Sequence, residues 1–157
     1  MTVKKLVYNA IEVSAAEASY DAFEDEQRGE LGRNAMEPDD HLDAARERIG
    51  GPSWRADAFF SNLSTADLQL LTVLYYSARD WRGNNDGDQL ALDPEREVRG
   101  TMRVTRKGSE QGTREFCLRK MEEVGGSMRL ATLLEGLQRF GDVASRLRDE
   151  FSTFETA

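Results

Sequence analysis

The chain has 157 residues, of which 39% are hydrophobic and 32% charged, and it carries a formal net charge of -8. That length suffices for one ordinary domain with a core, and the composition is too apolar for a disordered chain. The negative charge repels phosphate backbones, so ordinary nucleic-acid binding is disfavoured.

Taken from the N-terminus, Val3, Leu6, Val7, Ala10 and Ile11 form an i, i+3, i+4, i+7, i+8 stripe. The spacing predicts a helix over 3–24, ending at Glu24-Asp25-Glu26, because anions are disfavoured at a helix C-terminus. Residues 28–37, with Gly29, Gly32 and Asn34, read as a loop. Pro38, followed by Asp39 and Asp40, opens a helix carrying Leu42, Ala45 and Ile49, and Gly50-Gly51-Pro52 stops it. Ser53 then caps a short helix with Trp54, Ala58, Phe59 and Leu63.

The strongest helix signal follows. Ser64-Thr65-Ala66-Asp67 is close to a capping box, and the apolar residues from Leu68 to Trp81 occupy more than one face. A helix over 65–82 is therefore expected at the centre of the fold. Tyr75, Tyr76 and Trp81 read most simply as core residues, or as an interface hot spot if that helix has an exposed end.

Residues 82–112 break the pattern. Arg82-Gly83-Asn84-Asn85-Asp86-Gly87-Asp88 is turn chemistry, and Val98, Met102 and Val104 alternate weakly with arginines and threonine. This segment reads either as a small β-hairpin or as a mobile basic loop. Three cap–stripe–glycine units close the chain: Thr113 to Gly125-Gly126, Ser127 to Gly141, and a last helix from Asp142 with Val143, Leu147 and Phe151. Residues 152–157 read as a loose tail.

Charge is unevenly spread. Residues 1–48 hold 12 acids against 6 bases, a net of -6, whereas residues 101–157 hold 9 acids against 10 bases, a net of +1. The one concentrated basic stretch contains Arg96, Arg99, Arg103, Arg106 and Lys107. It can meet an anion or an acidic face of another protein, and it can equally pair with this chain's own acidic N-terminal third.

Residue chemistry narrows the function classes. A single cysteine, Cys117, leaves no intramolecular disulfide and nothing that argues for an oxidising compartment. With one histidine, His41, the usual zinc sets are excluded. Asp86-Gly87-Asp88 has its glycine between the acids, which is not the spacing of a calcium loop. The acids Asp39, Asp40 and Asp43 around His41 favour its imidazolium over a neutral base. Cys117 sits among Phe116, Leu118 and Met121 as a small core residue, although Arg114 and Lys120 are near enough in sequence to lower its pKa. No carboxylate pair stands out among 29 acids, and no phosphate loop is present. No catalytic residue, metal or cofactor is expected. The N-terminus has no apolar run after Lys4-Lys5, and no stretch approaches the roughly 18 apolar residues of a membrane span, so the expected location is the cytoplasm.

The stretch Phe59-Phe60-Ser61-Asn62-Leu63-Ser64-Thr65-Ala66-Asp67-Leu68-Gln69-Leu70-Leu71-Thr72-Val73-Leu74, running on to Ala78-Arg79-Asp80-Trp81, resembles an uncharacterised family of small helical proteobacterial domains of unknown function. Ala131-Thr132-Leu133-Leu134-Glu135-Gly136-Leu137 is similar to that family's closing helix. The resemblance covers under a third of the chain; it implies helices and transfers no functional residue.

The expectation is one all-α domain over 1–157, a compact bundle of five to seven helices with a loop insertion at 82–112. Its expected function is that of a non-enzymatic interaction or regulatory protein acting through protein–protein contact, with a homodimer compatible. The alternative is a phage or mobile-element inhibitor whose acidic surface mimics nucleic acid. A hydrolase or transferase comes third, and direct nucleic-acid binding through 96–107 fourth. Candidate partner-binding residues are Glu24, Asp25, Glu26, Asp39, Asp40, Asp43, Arg99, Arg103, Arg106 and Lys107.

Overall fold

The computed structural model describes residues 1–31, 52–83, 93–105 and 112–151, with side chains at 1–19, 55–81, 93–105 and 112–151. Among the described residues there are seven helices and no strand, so the all-α expectation holds. They are α1 (Val3–Leu31), α2 (Pro52–Ser61), α3 (Thr65–Gly83), α4 (Pro94–Val104), α5 (Arg114–Glu123), α6 (Gly126–Arg146) and α7 (Arg148–Phe151).

Helix α3 is the centre. Its Asp67 amide donates to Ser64 Oγ at 3.1 Å, the expected cap. From Leu68 to Tyr75 every side chain is buried, as are Ser77, Ala78 and Trp81, which is how a helix surrounded on all sides should look. Helix α6 packs against α3 on one side and α1 on the other. Both contacts bring backbones very close. A Cβ at Gly136 would stand 2.8 Å from the Leu74 carbonyl oxygen, and one at Gly126 would stand 2.7 Å from that of Ser14.

The sequence reading is corrected at three places. Helix α1 runs to Leu31 rather than stopping near residue 24. The Glu24-Asp25-Glu26 run therefore lies before the last turn of the helix, outside the reach of the unfavourable dipole field. Helix α6 passes through Gly141 and Asp142 to Arg146, and its N-cap is Gly125, with no side-chain cap from Ser127. Packing against α1 and α3 outweighs the glycine's cost of about 1 kcal/mol in a helix interior. The predicted helix at 38–49 lies outside the described residues.

The third correction lies within 82–112. Residues 94–104 are a helix and not a hairpin or loop. Asp93 caps it by accepting from the Glu95 amide at 3.1 Å, Pro94 supplies the first turn, and Glu95 and Glu97 suit the positive end of the dipole. Its inward face is Val98, Thr101 and Thr105, a helical spacing filled largely by threonine, which an apolar-only reading does not register. The Thr101 hydroxyl accepts from Ser77 Oγ at 3.1 Å, tying α4 to α3.

One buried charge holds several elements together. Arg129 of α6 is fully buried. Its guanidinium donates to Ser14 Oγ at 2.7 Å, to the Glu17 carboxylate at 2.8 Å, to the Val124 carbonyl at 2.9 Å and to the Met121 carbonyl. The same group lies 4.9 Å from the Phe60 ring centroid. Four helices, α1, α2, α5 and α6, thus meet on one cation that makes four hydrogen bonds.

Candidate functional site

Of the basic and acidic residues singled out from sequence, those described stand on two different helices, α4 and α1. Arg99 and Arg103 are exposed on α4. Arg99 pairs with Glu95 at 3.7 Å and Glu150 at 3.3 Å, so its acidic partners among the described residues lie in α4 and α7. Arg103 Nε donates to the Arg99 carbonyl at 3.4 Å. Glu24, Asp25 and Glu26 belong to α1, while Asp39, Asp40, Asp43, Arg106 and Lys107 lie outside the described residues.

A different set of residues comes together. Between α3, α4 and α5 lies an open cleft of ≈ 400 Å³. Helix α3 contributes Tyr76, Arg79 and Asp80, which share a face because they are three and four residues apart. Helix α4 contributes Glu97, Gly100 and Val104, again along one face, and α5 contributes Phe116 and Lys120. A Cβ at Gly100 would meet nothing within 4 Å, so the cleft keeps its depth where α4 carries no side chain. Val104 is 60% exposed at its rim.

The charges in the cleft are unevenly answered. Arg79 stacks on the Tyr76 ring at 4.4 Å and pairs with Asp80 at 3.2 Å, with the arginine side chain 57% exposed. Lys120 stands 5.5 Å from the Phe116 ring centroid and 3.9 Å from Glu123. Glu97 has no ion-pair partner among the described residues; burial, and then the nearby Asp80 carboxylate, push its carboxyl above the ordinary glutamate range. Tyr76 is raised by burial, an effect the Arg79 guanidinium opposes. Beneath the cleft Cys117 is fully buried, and burial pushes its thiol up although a hydrogen bond with Thr72 acts the other way.

Arg114 and Lys120 are both engaged elsewhere, Lys120 with Glu123 at 3.9 Å. Arg114 donates to the Leu63 and Ser61 carbonyls, each at 2.7 Å, and so closes the end of α2. Tyr75 and Trp81 are core residues as expected, whereas Tyr76 is half-buried and faces the cleft. Sequence reasoning missed Arg79, Asp80, Glu97 and Phe116 as a group. The available signal was the Asp93-Pro94-Glu95 cap, which turns 94–104 into a helix and puts Glu97, Gly100 and Val104 in line.

The arrangement is suited to recognition: aromatic and aliphatic surface, both signs of charge, and room for a side chain of a partner. Among the described residues no group of three or more histidine, cysteine, aspartate or glutamate side chains could hold a metal ion. Nor is any described helix long and apolar enough to cross a membrane. Comparison of the chain with family models, with curated proteins and with solved structures finds no match.

Proposed function

We propose that this is a non-enzymatic interaction protein and that the α3–α4–α5 cleft is where a protein partner docks. The observation that carries this reading is the composition of the cleft. Tyr76 and Phe116 each lie beside a cation, and Val104 stands 60% exposed above the open space at Gly100. Half-buried aromatics and arginine in a concave surface are the residue types that dominate binding energy at protein interfaces.

The test is a photo-crosslinking amino acid placed at Val104, with Met128, 53% exposed on α6, as the control position. In the cells that make the protein, the Val104 position should give one discrete protein adduct and Met128 none. No adduct, or the same adducts from both positions, would refute the proposal.

The reading as an acidic inhibitor of a nucleic-acid-binding protein keeps one supporting observation. Helix α1 continues through Glu24-Asp25-Glu26 to Leu31, so the acids of that run stand on a continuous helical scaffold. An adduct with a nucleic-acid-binding protein formed from a crosslinker at Glu24, and not from Val104, would favour it.

A further inference from the structure

Within the cleft the charges do not cancel locally, and the imbalance says what kind of segment fits. Arg79 is already opposed by Asp80 at 3.2 Å and covered on one face by Tyr76. Lys120 has Glu123 at 3.9 Å and the Phe116 ring beside it. The Glu97 carboxylate has no ion-pair partner among the described residues, the Thr101 hydroxyl donating instead to the Glu97 backbone carbonyl, and Asp80 lies close enough to repel it. The unanswered charge of the site is negative. The next turn of α4 is Gly100, over open space, and the one after it ends at Val104.

We infer that the cleft binds a protein segment bearing a lysine or arginine for Glu97 and a neighbouring aliphatic side chain for the space over Gly100, between Val104 and Phe116. This rests on the docking reading above and adds the chemistry of the partner. At a helical rise of about 1.5 Å per residue, Gly100 lies about 4.5 Å and Val104 about 10 Å along α4 from Glu97. A basic and an aliphatic side chain two residues apart in an extended strand share one face and stand about 7 Å apart, which falls within that range. Charge complementarity acts at longer range as well. The chain's net charge of -8 draws a basic partner in and repels an acidic one.

A partly buried carboxylate facing a guanidinium or ammonium makes charge-assisted hydrogen bonds, and these are stronger than neutral ones. Glu97→Gln keeps the shape and removes the charge. Gly100→Leu fills the space from an otherwise tolerant helix position, since nothing stands within 4 Å of the new Cβ.

The test is selection of displayed random dodecapeptides on the full chain, followed by affinity measurements on the winners. Wild-type protein should enrich peptides that have lysine or arginine two residues from Leu, Ile or Val. Their binding should fall about tenfold in Glu97→Gln, a loss typical of a hydrogen bond to a charged group. The same loss should be absent for a peptide whose basic residue has been changed to alanine, so that the two changes are coupled. Gly100→Leu should abolish binding of the same peptides while circular dichroism stays that of the wild type. Peptides that need the open cleft but carry acidic or uncharged residues, with affinity indifferent to Glu97→Gln, overturn this inference and leave the docking reading standing. Peptides that bind Gly100→Leu as well as wild type, or no enrichment at all, overturn both.

Discussion

The molecule holds two clusters built from the same parts, an arginine over an aromatic ring beside a carboxylate, and they differ in burial. Arg129 lies over Phe60 with Glu17 at 2.8 Å, is fully buried, and is further bonded to a hydroxyl and two carbonyls. Arg79 lies over Tyr76 with Asp80 at 3.2 Å, yet its side chain is 57% exposed. Desolvation makes the first arrangement costly to disturb, because any lost partner leaves a buried group without an answer. Solvent makes the second cheap to rearrange, which is what a docking surface requires.

The contrast is broken most severely by removing the two arginines in turn. Arg129→Ala should lower the unfolding free energy in urea by about 3–5 kcal/mol, since Glu17, Ser14 and the Met121 and Val124 carbonyls lose their donor. Arg79→Ala should cost less than about 1 kcal/mol, the scale of an exposed pair. Comparable losses from the two substitutions would mean that the clusters do not divide the work in this way.

Two glycines sharpen the comparison at smaller amplitude. Gly136→Ala presses a methyl group to 2.8 Å from the Leu74 carbonyl oxygen, and thermal unfolding should report a loss of about 1–3 kcal/mol. Gly100→Ala has open space and gains helix propensity, so it should stabilise by about 0.5–1 kcal/mol. The closed interface between α3 and α6 and the open cleft thus give opposite signs for the same chemical change.

The smallest effect is a titration. Glu97 should protonate above the ordinary glutamate value in the folded chain, as read by carboxyl NMR, and Asp80→Asn should bring it down by removing the second cause of the shift. The sign for stability follows. A carboxyl raised on folding binds more protons folded than unfolded, so its contribution is greatest at low pH. It diminishes as pH rises from the ordinary glutamate value through the raised one. Glu97→Gln should flatten the unfolding curve in that window and leave the rest of the pH profile unchanged.

Much of the fold was legible in the sequence, for physical reasons that also explain what was not. The capping serine at 64, the all-round apolar run of α3 and the Thr113 cap are local signals, and each is found where it was expected. The continuity of α6 through Gly141 is decided by packing against α1 and α3, which no local pattern contains. Helix α4 was hidden because two of the three side chains on its buried face are threonines, Thr101 and Thr105, and their hydroxyls are satisfied internally. Arg129 gave no signal at all: a lone arginine in an amphipathic helix reads as surface, and its partners come from α1 and from the turn after α5. The cleft follows the same logic, because Tyr76, Glu97 and Phe116 converge only once α4 is a helix.

Docking of a protein partner over Gly100 implies that filling this space removes the partner and leaves the rest of the fold as it is. The most direct measurement is the yield of the crosslinked adduct from the Val104 position in the Gly100→Leu background. Docking at this site requires that adduct to disappear while the unfolding free energy remains at or above the wild-type value. An undiminished adduct in a protein whose cleft has been filled would contradict it.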